Sequence, residues 1–229
     1  MIPLYDDNPV ERTPLVTYAL VAANVAVFLL WQLPLGLEQS VLRGGAIPYE
    51  ILTLQDVWPR DVVAPPFTIL TSMFLHGGFG HIVSNLLFLW IFGNNVEDAL
   101  GRLRYLAFYL ICGVAAALAQ TLGQAVNGDV QTPMVGASGA IAGVLAGYIS
   151  LFPGARVRTL FILGFFIFFR DLPSWLLIGF WFAQQILAVV FGSGHSGVAF
   201  LAHVGGFVTG LVLVRIVGRR ATWRRRAYY

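Results

Sequence analysis

Gly136-Ala137-Ser138-Gly139-Ala140-Ile141-Ala142-Gly143-Val144-Leu145-Ala146-Gly147 is an apolar run with one hydroxyl near its start. Glycines recur four apart at 139, 143 and 147, beside Ser138, Ala142 and Ala146. Small residues at that spacing share one helix face and let membrane helices approach closely. The run ends before Pro153, so it predicts a membrane helix with Ser138 at its mouth. A matching stripe of Ala202, Gly206 and Gly210 lies in a second apolar run, which holds His203 in Ala202-His203-Val204-Gly205-Gly206. An ionisable side chain inside a span is costly and marks a functional site by default. Taken alone, the stripes are equally what packing demands, with Ser138 one more small residue.

Composition fixes the solvent. The chain is 58% hydrophobic and only 11% charged, with a mean hydropathy of +0.76. Soluble domains carry about 25% charged residues, so the sequence predicts a polytopic membrane protein whose first partner is the lipid bilayer. A formal charge of +3, with arginines at membrane edges, gives no reason to expect nucleic acid. The single cysteine, Cys112, excludes an intramolecular disulfide and reads as a packing residue. The acidic N-terminal stretch has no basic region or cleavage signal, so no removable leader is expected.

A spanning helix needs about 20 mostly apolar residues. Six stretches qualify: Leu15 to Leu33, stopped by Pro34; His81 to Leu100; Leu103 to Leu122; Gly136 to just before Pro153; Pro173 to Phe191; and Val198 to Val217. Residues 35–80, broken by Pro48, Pro59, Pro65 and Pro66, form a long and partly interfacial loop. Thr159 to Phe169 is apolar but short, flanked by Arg158 and Arg170, and reads as interfacial or as an extension of the fifth span. There is no lysine, and with the N-terminus inside a six-span count puts 12 arginines inside and only Arg43 and Arg60 outside. That asymmetry is the positive-inside pattern. The expected fold is therefore all-α, a six-helix membrane bundle. Residues 1–14 form a cytoplasmic tail, 15–217 the membrane domain, and 218–229 an Arg-rich cytoplasmic tail. Ser138 and His203 then lie near the outer side at similar depth.

A serine hydroxyl is a weak nucleophile until a base takes its proton. With no lysine, a Ser-Lys pair is impossible, and Glu97, Asp98 and Asp171 fall on the inner side, away from Ser138. What remains is a Ser138–His203 dyad whose imidazole is oriented by packing or by a neutral hydrogen bond. Gly136-x-Ser138-x-Ala140 is not the GxSxG elbow of soluble hydrolases, because Ala140 stands at the last glycine. Acyl transfer also needs donors aimed at the developing oxyanion. His81 and Asn85 are four apart on one face of the second span, and the Ser138 amide is free in the first turn of its helix. His81 is equally readable as an interfacial histidine satisfied by a carbonyl, and Asn85 as an interhelical hydrogen bond. His76 and His195 read as loop histidines. No metal is expected, since HExxH is absent and His76 and His81 are five apart. No cofactor is implied.

Together these residues resemble the rhomboid family of intramembrane serine proteases. The resemblance rests on His81-Ile82-Val83-Ser84-Asn85, Gly136-Ala137-Ser138-Gly139 and Ala202-His203-Val204-Gly205-Gly206, with Val96-Glu97 and Gly101 between them. It covers roughly residues 67–215. It implies Ser138 as nucleophile, His203 as general base, and an oxyanion hole of His81, Asn85 and the Ser138 amide. It further implies transmembrane-segment proteins as substrates. One departure is visible: many members carry Trp-Arg in the first loop, where Pro66-Phe67-Thr68 stands here. The expected location is a bacterial plasma membrane, with both termini cytoplasmic. A non-catalytic scaffold that binds transmembrane helices is the alternative. A small-solute transporter predicts paired broken helices and an inverted repeat, and neither is evident. The oligomeric state is not legible.

Overall fold

Apolar runs without internal proline become helices, and the intervening glycines and prolines set their ends. The computed structural model describes residues 1–57, 63–191 and 199–217. The expectations for Pro59, Arg60, His195, Val198 and the tail from residue 218 lie outside the described residues. The chain opens with strand β1 (Ile2–Asp6), then α1 (Leu15–Val27), a π-helical turn (Phe28–Gln32) and α2 (Leu33–Leu35). The long first loop holds α3 (Leu37–Gly44), α4 (Pro48–Thr53), a 3-10 turn (Pro65–Phe67) and α5 (Thr68–Ser72). There follow α6 (Phe79–Leu100), α7 (Arg102–Val126), α8 (Ser138–Leu151), strands β2 (Arg156–Leu163) and β3 (Phe166–Pro173), then α9 (Ser174–Phe191) and α10 (Phe200–Val217).

Four of these helical stretches are long and apolar enough to cross a membrane: Leu15–Leu35, Arg102–Val126, Ser174–Phe191 and Phe200–Val217. The other two of the six expected fall short for different reasons. α6 has 22 residues but is interrupted by His81, Asn85, Asn94, Asn95, Glu97 and Asp98. α8 is apolar but has 14 residues, about 21 Å at 1.5 Å per residue. Pro34 does not stop the first helix. The π turn ahead of it widens the hydrogen-bond ladder where the proline lacks its N–H, and the stretch ends at Gly36, whose φ is +91°.

α8 is the centre of the bundle, with every residue from Gly139 to Tyr148 buried. A Cβ on Gly206 would overlap the Gly139 carbonyl, and one on Gly210 would overlap the Gly143 backbone. On the other flank, a Cβ on Gly139 or Gly143 would run into Ala116 or Cys112 of α7. The small-residue stripes thus put α8 in backbone contact with α10, and Cys112 is a buried packing residue. Buried Glu97 of α6 reaches the start of α1. Its carboxylate accepts the Val16 and Thr17 amides at 2.9 and 2.7 Å and the Thr17 hydroxyl at 2.8 Å. A negative charge at a helix N-terminus satisfies otherwise unpaired amides and complements the helix dipole.

The expected all-α class is corrected: a three-stranded antiparallel sheet of order β1-β2-β3 stands beside the helices. Thr159–Phe169, read from sequence as interfacial or as an extension of the helix after it, lies in the β2–β3 hairpin. Its Thr, Ile and Phe residues favour strands, and Gly164, at φ +59°, takes the turn. Residues 2–6, part of the expected tail, pair with β2 from Ile2↔Leu160 to Asp6↔Val157. At the opposite end, Ala46 and Met134 bridge the first loop to the segment before Ser138.

The Tyr148 hydroxyl donates to the Asp6 carboxylate and ties β1 to the end of α8. Burial nevertheless dominates and raises the Asp6 carboxyl from 3.8 to about 6. The folded chain therefore holds this proton more tightly than the unfolded one. The stability linked to Asp6 is complete below about pH 4 and is lost as pH rises through about 6. Asp6→Asn is expected to remove this part of the pH slope. Thermal unfolding of both proteins between about pH 4 and pH 8 checks it.

Candidate active site

Ser138 is the first residue of α8 because Gly136 turns the chain into the helix. Gly136 has φ +129°, the left-handed region that favours glycine. A Cβ there would stand 2.9 Å from His81 Cε1 and Nε2 and 3.5 Å from Ser138 Oγ. The bare backbone at 136 thus brings the His81 ring and the Ser138 hydroxyl to one place. The Gly136 amide donates to the Ser72 carbonyl at 2.9 Å, which fixes the approach. No side chain among the described residues caps α8, and its first regular bond runs from the Ile141 amide to the Ala137 carbonyl. The amides of Ser138, Gly139 and Ala140 therefore have no acceptor within the helix.

The close approach of α8 and α10 brings Ser138 Oγ to 2.8 Å from His203 Nε2. The other ring nitrogen, Nδ1, lies 2.7 Å from Gln185 Oε1 on α9. The amide of Gln185 is itself held, since its Nε2 donates to the Trp181 carbonyl at 3.2 Å. Gln185 thus turns its oxygen to the imidazole, so Nδ1 carries the proton and Nε2 is left to accept from the serine. The Trp181 ring packs beside His203 at 5.6 Å between centroids. The sequence reading left room for a neutral orienting bond but did not find Gln185. The available signal was the pair of amides, Gln184 and Gln185, inside an otherwise apolar span.

His81 is set by the opposite tautomer logic. The Gly77 amide donates to His81 Nδ1 at 3.2 Å, so in the neutral ring Nε2 carries the proton, on the side of Gly136 and Ser138. Asn85 lies one helical turn further along α6; it is buried, and its Nδ2 meets no acceptor among the described residues. His76 lies in the loop before α6, as read from sequence, but it is fully buried. Its backbone exchanges hydrogen bonds with Gln32 of the π turn, at 2.9 and 3.0 Å. Its ring stands edge-on to His81 at 5.2 Å. Burial first, and then the neighbouring His81, push the His76 ring down to about 4, so it is neutral at pH 7. A small opening beside Ser138 is lined by Gly113, Ala116, Ala117, Gly139 and Ala202, with Met73 at its wall.

Apolar helices around a half-buried serine and a buried histidine and amide define a multi-pass membrane protein with a polar centre. The family model for the Rhomboid domain matches residues 64–220. Rhomboid protein 1, mitochondrial, of Saccharomyces cerevisiae is 30% identical over 200 residues, covering 85% of this chain and 51% of the relative. Presenilin-associated rhomboid-like protein, mitochondrial, of Homo sapiens is 30% identical over 207 residues, covering 90% and 49%. RHOMBOID-like protein 12, mitochondrial, of Arabidopsis thaliana is 31% identical over 204 residues, covering 83% and 55%. This chain belongs to the rhomboid family, whose members are generally intramembrane serine proteases. It spans about half the length of these curated relatives. The bacterial plasma-membrane location expected from sequence is corrected by these relatives, each of which is named as mitochondrial; the multi-pass character stands.

Proposed function

We propose that this chain is an intramembrane serine endopeptidase that hydrolyses peptide bonds in or near the transmembrane segments of other proteins. The observation that carries the reading is the 2.8 Å approach of Ser138 Oγ to His203 Nε2, made between separate helices inside an apolar bundle. In this reading the Ser138 oxygen attacks the scissile carbonyl carbon while its proton passes to Nε2. The C–N bond then breaks, and the imidazolium returns the proton to the leaving amine. Water, with His203 again as base, releases the acyl group from Ser138. The Ser138 amide, His81 Nε2–H and Asn85 Nδ2 are the donors for the oxyanion. Gln185 is a positioning residue that holds the tautomer.

Six crossings are part of the same proposal, and two backbone bridges support them. Ala46 pairs with Met134 across α6 and α7. If α7 crosses, α6 must cross as well, since paired strands share a side. β1 pairs with β2 across the first helix, α6, α7 and α8, and the same argument then requires α8 to cross. Both termini fall on the arginine-rich side, and Ser138 opens toward the first loop, from which water enters.

Purified protein in bicelles is to be treated with a fluorophosphonate and, separately, with a transmembrane-segment reporter. The expected results are a covalent adduct on Ser138 and cleavage of the reporter. Neither adduct nor cleavage would leave the scaffold that binds helices without cutting them. Gln185→Leu is expected to lower kcat by about 10- to 100-fold, by analogy with the partners that orient metal-bound histidines, with KM little changed. Gln185→Glu, which keeps an acceptor oxygen, should recover part of that loss. Steady-state kinetics on the reporter separates the two constants.

A further inference from the structure

Every residue from Leu160 to Phe169 is apolar or glycine. These residues form the outer half of the β2–β3 hairpin, at the end of α8 away from Ser138. Phe165 is fully exposed, Phe166 is 77% exposed and Leu163 61%. We propose that this hairpin dips into the bilayer, with its apolar outer half lying at the headgroup–acyl boundary beside the bundle.

The register selects lipid as the occupant. The pairs Phe161↔Phe168 and Leu163↔Phe166 share one face, and Leu160↔Phe169 and Ile162↔Ile167 share the other. A strand pair that docks on protein shows one apolar face and one polar face. Here both faces are apolar, which suits a medium that surrounds the hairpin. The base of the hairpin is charged instead. Arg158 pairs with Asp171 at 3.1 Å, and the Arg158 and Arg170 guanidinia sit over Phe169 and Phe168 at 5.6 and 5.9 Å. Arginines there can bind lipid phosphates while their stems cover apolar rings. The base is also held at the membrane edge. β3 runs directly into the spanning helix α9, whose Ser174 amide donates to the Ala155 carbonyl at 2.8 Å.

The backbone limits the depth. β1 covers β2 only as far as Leu160, so beyond it both outer edges of the hairpin carry unpaired N–H and C=O groups among the described residues. Open sheet edges are not tolerated in the hydrocarbon core. Five residues per strand reach about 16 Å, too short to span. Both constraints place the tip roughly 5–10 Å into the boundary, like an interfacial helix.

The test uses Phe165→Cys in a Cys112→Ala background, labelled with an environment-sensitive nitrobenzoxadiazole dye. Ile167→Cys is a second site, and Gly154→Cys, exposed near the base, is the reference. Each protein is reconstituted in phosphatidylcholine–phosphatidylglycerol vesicles carrying a nitroxide at either the top or the end of the acyl chain. At 165 and 167 we expect emission blue-shifted from that at 154, and quenching by the shallow nitroxide roughly twofold or more above that by the deep one. Water-like emission without quenching would overturn the proposal. So would a blue shift that neither nitroxide quenches, which means that a second copy or another protein covers the tip. Stronger quenching by the deep nitroxide would equally overturn it.

Discussion

Ser138→Ala is expected to abolish cleavage and leave the protein folded. The hydroxyl is the only group lost, and among the described residues its hydrogen-bond partner is His203 Nε2. Alanine is the best helix former and suits a helix already lined with Ala140 and Ala142. His203→Ala should be as damaging, because the chain has no lysine and Glu97, the buried acid nearest in sequence, is engaged with the start of α1. Residues that act as a unit are not additive, so the double variant should be no slower than either single one. Each loss should be roughly 10^4- to 10^6-fold in kcat. Initial rates on a transmembrane reporter, read beside thermal unfolding, measure it. A pure Ser138→Ala sample that still cuts would sink the mechanism.

Gly206→Leu should fail to fold, and Gly206→Ala should fold poorly and lose fluorophosphonate labelling. The new Cβ lands on the Gly139 carbonyl, which is backbone and cannot rotate away. Overpacking a core costs about 1–3 kcal/mol when side chains can adjust; here two helices must separate instead. That separation pulls His203 from Ser138, since each stands on one of the two helices. Gly179→Ala is the control, because a Cβ there meets nothing within 4 Å. Thermal stability and labelling should be unchanged in that variant. A Gly206→Ala protein as stable and as reactive as the Gly179→Ala control would refute the close-contact account.

The Ser138 and His203 helices were legible because glycine every fourth residue reports a tight interface without any partner being seen. The hairpin was hidden for the opposite reason. Strand reading relies on alternation, and Leu160–Phe169 has apolar side chains on both faces, so its period is silent. Gln185 was missed because the amides of Gln184 and Gln185 in an apolar run look like any interhelical bond; only the His203 ring beside Gln185 gives it a role. Pro34 misled because a proline is compatible with a helix that widens ahead of it, and nothing in Phe28–Gln32 announces a π turn. α6 and α8 looked like ordinary spans, although one is unusually polar and the other short.

The pairing of Ile2 with Leu160 also says something about time. A ribosome adding about 5–20 residues per second needs roughly 8–30 s to make the second strand after the first. Throughout that interval β1 has no mate, and for nearly all of it Tyr148, which binds Asp6, has yet to be made. The first strand made is therefore paired only after α1 and α6 to α8 have all been made.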